Sequence, residues 1–476
     1  MRLPQVFQDA MRITRHLGVK YLWIDSLCIK QDQDDLTDWA IESKMMGQVY
    51  TCASMNISAT WATQEDDDLL GNSCWANKIP AQLDLDIGGQ TRKYFVVDGG
   101  LWDEEVEEGP LNERGWVFQE RYLARRVAHF GQAQMAWECR EWRALEMYPE
   151  GLPAWLGVPC MKREYDITPP QTSSSPSAEP ESVRFAKVWQ RILTDYCGCD
   201  FTVAGDKLMA LEGIAGRILA SRPADAYFAG VWKSTALYDL AWHRDDDNRA
   251  EFPISETRWR SPSWSWATVD GAIDFPLDCN LFPEVRADYA EVKSLRGHTA
   301  ALGTKVKYDG TLEIEGSCLP LTLKWSEEKE IIGFSILSHQ FSTKNNPLKS
   351  QLYFEMPDEQ VYALSCSGKL LFMPLFAMTR NLYGIILQTV RGRGKHERIG
   401  AVDILLMART DHMPDWQGSK DTLRSRDPPQ LAQNLEHLGH DRELFQRLPE
   451  MWSKAGLKFV RFLSTAKLAV RHIYIS

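Results

Sequence analysis

The sequence lacks any long hydrophobic run. No stretch of its 476 residues approaches the ~20 apolar residues that a membrane-spanning helix needs. The N-terminal segment MRLPQVFQDAMRITRHLG is amphipathic and has no apolar core of the kind found in a secretory signal peptide. We therefore expect a soluble, cytoplasmic protein without a membrane span.

An excess of positive charge is also missing. The net charge of -11 and the sequence pI of about 5.5 argue against a nucleic-acid-binding surface across the whole chain. The ten cysteines are scattered, which is unlike a disulfide framework and fits a reducing compartment. Only Cys197 and Cys199 lie close together, without a second pair at zinc spacing, so we predict no metal site.

The N-terminal pattern alternates helices and strands. Residues 4–17 and 37–50 carry apolar side chains at helical spacing. The apolar run Tyr21-Leu22-Trp23-Ile24 predicts a strand buried on both faces, and residues 55–61 predict another strand. This order predicts a parallel α/β sheet covered by helices. Further along, residues 111–124 predict a helix, and residues 126–137 predict a hairpin with Gly131 in its turn.

A Pro- and Ser-rich segment, TPPQTSSSPSAEPES at 168–182, divides the chain because such a composition cannot build a core. We therefore expect an N-terminal domain over 1–167 and a linker over 168–182. A helical section with a Trp-rich segment would follow over 183–290. Short β-like runs then predict a β-rich region over 291–476. The alternation of Trp264 and Trp266 with serines predicts a strand whose indoles pack in the core or on a docking face.

Three segments together resemble the fungal HET-domain (heterokaryon incompatibility) family. They are YLWIDSLCIKQD at 21–32, LNERGWVFQERYLARRVAHFG at 111–131 and PSWSWATVDG at 262–271. The segment around Asp206 and Lys207 is similar to the one that joins the last two blocks in that family. Their order and spacing match over roughly residues 1–275, and each block is long and Trp-rich.

This resemblance implies an α/β fold distantly related to TIR domains and a role in non-self recognition and programmed cell death. Members of the family usually begin with a strand carrying an ALSY-x-WG-like sequence. No such segment precedes the first helix here, so we expect a TIR-like sheet without its first strand.

Glu120 is the candidate catalytic residue. Some TIR domains cleave NAD with a Glu placed four residues after a Trp, and Trp116 and Glu120 resemble that pattern. The spacing puts the indole and the carboxylate on one helical face. A carboxylate against the ribose would stabilise the oxocarbenium-like charge that develops as nicotinamide leaves. The alternative is an ion pair of Glu120 with Arg114, Arg121 or Arg125.

The candidate NAD-binding residues are Asp25, Ser26, Arg114, Trp116 and Arg121. Asp25 and Ser26 follow the predicted strand at 21–24, where α/β sheets place ligands, although turn and capping chemistry would also explain them. Arg114 and Arg121 suit a nucleotide phosphate. Pairing with a nearby acidic side chain, Glu113, Glu120 or Glu138, is the alternative for both arginines. His129, which follows a β-like run, fits a core residue better than a base.

Three functions remain open from the sequence. The first is a death effector that cleaves NAD as substrate, with no required cofactor. The second is a non-enzymatic scaffold that self-associates or binds an incompatibility partner. The third is an accessory protein of specialised metabolism, for which no residue indicates a substrate.

Overall fold

The computed structural model describes most of the chain up to residue 405 and one later strand. The described residues are 3–30, 37–64, 67–70, 81–88, 90–96, 98–153, 162, 179–244, 260–279, 285–302, 305–343, 350–379, 381–390, 395–405 and 470–475. The loop part of the predicted linker, residues 168–178, lies outside these ranges.

Three helices begin the chain: α1 (Gln5–His16), α2 (Asp25–Cys28) and α3 (Thr37–Cys52). They confirm the helices predicted over 4–17 and 37–50. Helix α1 turns Asp9, Ala10 and Thr14 inward. Gly18 adopts a left-handed φ of 68° just after the helix, which suits a residue without a Cβ and lets the chain turn away.

The N-terminal sheet contains four strands in the order β1, β4, β5, β6. Their ranges are β1 (Asn56–Ser58), β4 (Arg126–Phe130), β5 (Met135–Cys139) and β6 (Arg143–Leu145). Between β1 and β4 the chain forms a separate hairpin of β2 (Ala81–Ile87) and β3 (Gln90–Val96). The predicted hairpin over 126–137 is confirmed by β4 and β5, and the predicted strand over 55–61 by the shorter β1.

A TIR-like parallel core is not confirmed. Only the β1–β4 pairing is parallel, whereas β4–β5 and β5–β6 are antiparallel. The strand expected over Tyr21–Ile24 does not form. Ile24 has extended backbone angles, but no described strand supplies a hydrogen-bonding partner, and Tyr21 is 87% exposed. An apolar run specifies burial, whereas a strand also needs a neighbour for its backbone groups.

Helical turns lead from the β2–β3 hairpin to β4, and a helical section follows the N-terminal sheet along the chain. Helix α4 (Gly115–Leu123) follows a π-helix at Asp103–Glu107 and a 3₁₀ turn at Pro110–Glu113. The section contains the following longer and shorter helices: α5 (Glu181–Cys197), 3₁₀ turns Ala204–Lys207 and Met209–Leu211, α6 (Glu212–Ser221), α7 (Ala236–Asp239), 3₁₀ turn Trp266–Thr268 and α8 (Pro276–Cys279). Its short strands are β7 (Tyr227–Phe228), β8 (Val231–Trp232), β9 (His243–Arg244) and β10 (Ile273–Asp274).

The C-terminal part is built on an 11-stranded sheet. Its strands are β11 (Val285–Asp288), β12 (Ala290–Leu302), β13 (Lys305–Ser317), β14 (Leu319–Trp325), β15 (Ile331–Ile336), β16 (His339–Ser342), β17 (Gln351–Phe354), β18 (Leu370–Met378), β19 (Asn381–Thr389), β20 (Lys395–Leu405) and β21 (Val470–Ile475). Helix α9 (Asp358–Cys366) packs on one face. The prediction of a mixed fold with a β-rich C-terminal region is confirmed.

Trp264 and Trp266 lie in the core between the helical section and the large sheet, both at 0% exposure. Their burial confirms core packing. The predicted alternating strand is wrong, because Ser265 begins a 3₁₀ turn and its side chain accepts a hydrogen bond from the backbone N–H of Ala267. A serine that caps a turn in this way competes with strand formation.

Close contacts join the N-terminal region to the helical section. A Cβ added to Gly47 of α3 would lie 2.8 Å from the Cα of Gly213 on α6, so the two helices touch backbone to backbone. Gln119 of α4 accepts a 2.7 Å hydrogen bond from the Gly213 N–H. These contacts hold α4 between the sheet and the helical section. Among the described helices, none is long and apolar enough to cross a membrane.

Candidate functional site

The candidate site is a cavity of about 1100 Å³ in the N-terminal region. Helix α1, the extended segment 19–25, the end of α3, strand β1 and helix α4 supply its walls. The lining is mostly apolar, with a small number of charged and hydroxyl side chains. Small-molecule sites in proteins have this character and usually occupy about 300–1,000 Å³, so the cavity is large enough for a nucleotide.

Glu120 reaches this cavity from α4 and is partly buried. Burial is the main cause that raises the pKa of its carboxyl, to about 7, and the negative charge of Asp25 adds to the rise. A hydrogen bond from Tyr50 and the positive charge of Arg114 act in the opposite direction. Glu120 therefore changes protonation state near neutral pH, which is a common property of functional carboxyls.

Tyr50 belongs to the last turn of α3 and donates its hydroxyl hydrogen bond to Glu120. Burial and the neighbouring carboxylate raise the pKa of the Tyr50 phenol, so the phenol stays protonated and remains a donor. Trp23 packs edge-on against the Tyr50 ring at 5.7 Å between centroids. The apolar segment at 21–24 thus fixes the tyrosine that holds Glu120, instead of forming a sheet strand.

Asp25 and Arg114 also line the cavity. Asp25 opens α2, and its carboxylate accepts a 2.7 Å hydrogen bond from the Ser26 N–H. This is the turn chemistry considered as an alternative for the pair. Ser26 is exposed and does not line the cavity. Arg114 immediately precedes α4 and is exposed, and its positive charge acts on the carboxyl of Glu120.

Trp116 points away from the cavity. Its indole N–H donates a 3.1 Å hydrogen bond to Asp206, and its ring packs against the core of the helical section. Lys207 in turn donates to the Val269 carbonyl at 2.9 Å. The three segments 111–131, 206–207 and 262–271, which follow one another in the family pattern, are therefore in contact in the structure. Trp116 and Glu120 nevertheless do not belong to one site.

Arg121 lies at the inner boundary of the cavity and is held in a buried ion network. Its guanidinium contacts Glu107 at 2.7 and 2.8 Å and Glu138 at 2.9 and 3.2 Å. Burial opposes ionisation of Glu107, yet Arg121 lowers the pKa of this carboxyl to about 2. Arg121 likewise lowers the pKa of the buried Glu138. The pairing considered as the alternative for Arg121 is thus present, with Glu138 and with Glu107.

A chain of hydroxyl groups connects the cavity wall to this network. Ser58 lines the cavity, and its Oγ lies 2.9 Å from the Oγ1 of Thr60. Thr60 Oγ1 lies 3.1 Å from Nδ1 of His129, whose Nε2 is 3.5 Å from Glu138. Ser58 and His129 are register partners in β1 and β4, so the parallel pairing aligns the chain. His129 is fully buried, as expected of a core histidine.

Sequence reasoning missed Tyr50, Trp23 and the hydroxyl chain. The Tyr50–Glu120 and Ser58–His129 contacts each join residues about seventy positions apart, and side-chain spacing reports only on neighbours within one element. Only a correct prediction of the parallel pairing of β1 with β4 would have placed Ser58 opposite His129. Within the described part of the chain, no cluster of His, Cys, Asp or Glu has the makings of a metal site.

The arrangement offers a titrating carboxylate, a cation and an apolar floor in one cavity. A carboxylate in such surroundings stabilises a developing positive charge more strongly than it would in water. Arg114 suits an anionic group such as a phosphate at the exposed side of the cavity.

Comparison with known proteins finds one family model that matches this region. Residues 1–120 match the family model described as heterokaryon incompatibility protein (HET). The match ends at Glu120, and it contains all of the cavity lining except Arg121. No curated protein matches the chain. No solved structure matches it either.

Proposed function

We propose, from the HET segment at residues 1–120, that this chain is a heterokaryon-incompatibility-type protein of the cytoplasm. It would act in non-self recognition and programmed cell death by cleaving NAD in the cavity around Glu120. A distant relationship to TIR domains is part of this proposal. The observation that carries it is the placement of Glu120, which lies in a nucleotide-sized cavity with a pKa of about 7.

Cleavage would proceed by departure of nicotinamide from the ribose. The nicotinamide is already cationic, so it leaves as a neutral group without being protonated. The bond electrons go to its ring nitrogen, and positive charge develops on the ribosyl carbon. The ionised form of Glu120 stabilises that charge, while Tyr50 orients the carboxylate and Arg114 attracts the pyrophosphate.

Expression in a fungal host tests the proposal. The wild type, Glu120→Gln and the matched control Glu113→Gln are compared for cellular NAD and viability. Glu113 is an exposed carboxylate seven residues earlier, outside the cavity. We expect the wild type and Glu113→Gln to deplete NAD and kill, whereas Glu120→Gln loses at least about 100-fold in NAD cleavage. Equal NAD levels in all three strains, at equal protein levels, would contradict an NAD-cleaving role.

A second candidate function is protein binding by the same region. Large apolar side chains are exposed on the first helices and the segment between them: Leu17, Val19, Tyr21, Leu27, Ile41 and Met45, at 43–87% exposure. Exposed apolar side chains that lie together mark interaction surfaces. We propose that these side chains bind a second copy of the chain or an incompatibility partner.

The two candidates separate in one experiment. Ile41→Ser removes one of these side chains that is 58% exposed and lies outside the cavity lining. If binding is the function, Ile41→Ser weakens self-association in sedimentation and abolishes killing, whereas Glu120→Gln leaves killing intact. If NAD cleavage is the function, Glu120→Gln abolishes killing whatever the state of association.

A further inference from the structure

The unexplained feature of the cavity is the hydroxyl chain in its wall. Ser58 and Thr60 are 5% and 0% exposed, and each could have been an apolar residue if packing alone mattered. Their hydroxyls instead bond to each other and to Nδ1 of His129. Polar groups are costly to bury unless they are paired, so an aligned series of them requires a reason.

The direction of the hydrogen bonds in the chain depends on the charge at its inner end. Glu138 is ionised because Arg121, with support from His129 and Lys162, outweighs the effect of burial and lowers its pKa. Nε2 of His129 faces this carboxylate at 3.5 Å, which favours the tautomer with the ring proton on Nε2. In that tautomer Nδ1 is an acceptor, Thr60 would donate to it, and Ser58 would donate to Thr60.

Opposing effects act on the protonation of His129. Burial, together with the charge of Arg121, lowers the pKa of His129 and favours the neutral ring. Glu107 and Glu138 oppose that effect and stabilise the protonated ring. The ring of Trp102 packs edge-on against His129 at 6.2 Å, and Arg143 lies over that indole at 4.6 Å. Lys162 binds the backbone carbonyls of Arg121 and Ala124 and is the other cation facing Glu138.

We propose that Ser58, Thr60 and His129 form a proton relay that accepts the proton of the water molecule attacking the ribosyl carbon. This inference rests on the proposed NAD cleavage. As the water oxygen bonds to the ribosyl carbon, its proton passes to Ser58 Oγ. The Ser58 proton moves to Thr60 Oγ1, and the Thr60 proton moves to His129 Nδ1. The imidazolium faces Glu138 and returns its proton to water by the reverse path after the products leave.

The relay should assist attack by water but not attack by a pyridine base. Water must lose a proton when it attacks, whereas a pyridine base attacks through its ring nitrogen and loses none. Both compete for the same ribosyl intermediate. Loss of the relay therefore lowers the ratio of hydrolysis to base exchange, and a general disturbance of the cavity would lower both products together.

The experiment uses the full chain with NAD and a substituted pyridine, and it measures both products. Thr60→Val removes the hydroxyl with little change in shape, and Thr60→Ser keeps it. Thr51→Val is the matched control, since the Thr51 hydroxyl bonds to the Gly47 carbonyl within α3 and takes no part in the relay. We expect Thr60→Val and Ser58→Ala to lower the product ratio at least about tenfold, in keeping with general-base catalysis. Thr60→Ser and Thr51→Val should stay near the wild-type ratio.

Failure of the relay and failure of NAD cleavage give different results. If the wild type cleaves NAD and Thr60→Val leaves the ratio unchanged, the relay is wrong. If the wild type leaves NAD intact, the proposed function is wrong, and the ring nitrogens of His129 then decide whether the relay exists. In nitrogen NMR spectra of the labelled protein we expect the proton on Nε2 and an acceptor at Nδ1 that changes in Thr60→Val. A proton on Nδ1 overturns the relay in either case.

Discussion

The two main sheets differ in what they bury. The central strands of the C-terminal sheet, β18 and β19, bury apolar side chains completely, including Phe372, Leu375 and Ile385 at 0% exposure. The N-terminal sheet buries His129 and Glu138 to the same degree on the side covered by α4. The central strands β18 and β19 are therefore stabilised by removing apolar surface from water, whereas the α4 side of β4 and β5 also depends on pairing charges away from water. In the C-terminal sheet a buried ion pair, Arg398 with Glu355, lies outside these central strands, on β20 and just after β17.

This difference distinguishes a structural core from a functional site. The apolar core around β18 and β19 excludes ionised groups and therefore also lacks groups that could take part in catalysis. A buried ion network costs stability unless each charge keeps its partner, and it maintains proton-binding groups in a low-dielectric setting where they interact strongly. The cavity, the titrating Glu120 and the hydroxyl chain all lie in the region that carries this cost.

The largest effect is expected when the ion network loses its cation. Arg121→Met leaves the carboxylates of Glu107 and Glu138 buried without their main partner, so we expect a loss of about 3–5 kcal/mol at pH 7. In the wild type, the depressed pKa of Glu107, about 2, contributes stability above the unfolded value of 4.5, and this is lost as pH falls towards 2. The gap between variant and wild type should therefore shrink in acid.

Hydrogen exchange of the β4 and β5 amides at several pH values measures this effect region by region. A variant that is as protected as the wild type at pH 7 would show that the network adds no stability there.

A comparable substitution in the other sheet should respond differently to pH. Ile385→Ala in β19 opens a space in a fully buried apolar core, and we expect a loss of about 3 kcal/mol. No ionisable group is removed, so the loss should be the same at pH 5 and pH 8. Denaturant unfolding with exchange of the β18–β20 amides checks it. A strong pH dependence of this loss would erase the contrast between the two sheets.

Local patterns predicted the elements that depend on local interactions. The helices near 4–17, 37–50 and 111–124 and the hairpin near 126–137 are present because their periodicity and turn residues decide them. The strand at 21–24 failed because four apolar residues report burial and say nothing about a hydrogen-bonding neighbour. In the structure, Trp23 of this segment packs against Tyr50 instead.

The candidate site was predictable only in part. Glu120, Asp25 and Arg114 do come together in one cavity. Trp116 does not join them, because its indole N–H donates a hydrogen bond to Asp206, ninety residues later. Arg121 instead forms ion pairs with Glu107 and Glu138, two buried carboxylates from different elements. Helical spacing places side chains on a face, but partners from distant parts of the chain decide where each side chain is held.

The next largest effect is expected for Glu120→Gln, which should stabilise the N-terminal region while removing the proposed catalytic group. Glu120→Gln imitates the protonated carboxyl, which the fold favours because its pKa of about 7 lies above the unfolded value of 4.5. The wild type therefore loses stability as pH rises from 4.5 through 7, and the variant does not. We expect Glu120→Gln to be more stable by about 3 kcal/mol at pH 8 and equal near pH 4.5. Thermal unfolding at both pH values measures this, with Glu113→Gln, which changes an exposed carboxylate outside the cavity, as the control.

Activity should follow the same titration, because the ionised carboxylate is the form that stabilises positive charge. NAD cleavage is expected to rise with pH through about 7 and to reach a plateau above it. Activity that instead falls over this range would assign Glu120 the role of a proton donor.

The smallest effect on stability is expected at the exposed edge of the same region. Tyr21 is 87% exposed, so Tyr21→Ser removes almost no buried surface and should change the free energy of unfolding by less than about 0.5 kcal/mol. Its effect should appear in sedimentation, as weaker self-association at concentrations where the wild type associates. If Tyr21→Ser instead destabilises the fold by several times that amount, Tyr21 itself is a structural residue of the N-terminal region and does not belong to a binding surface.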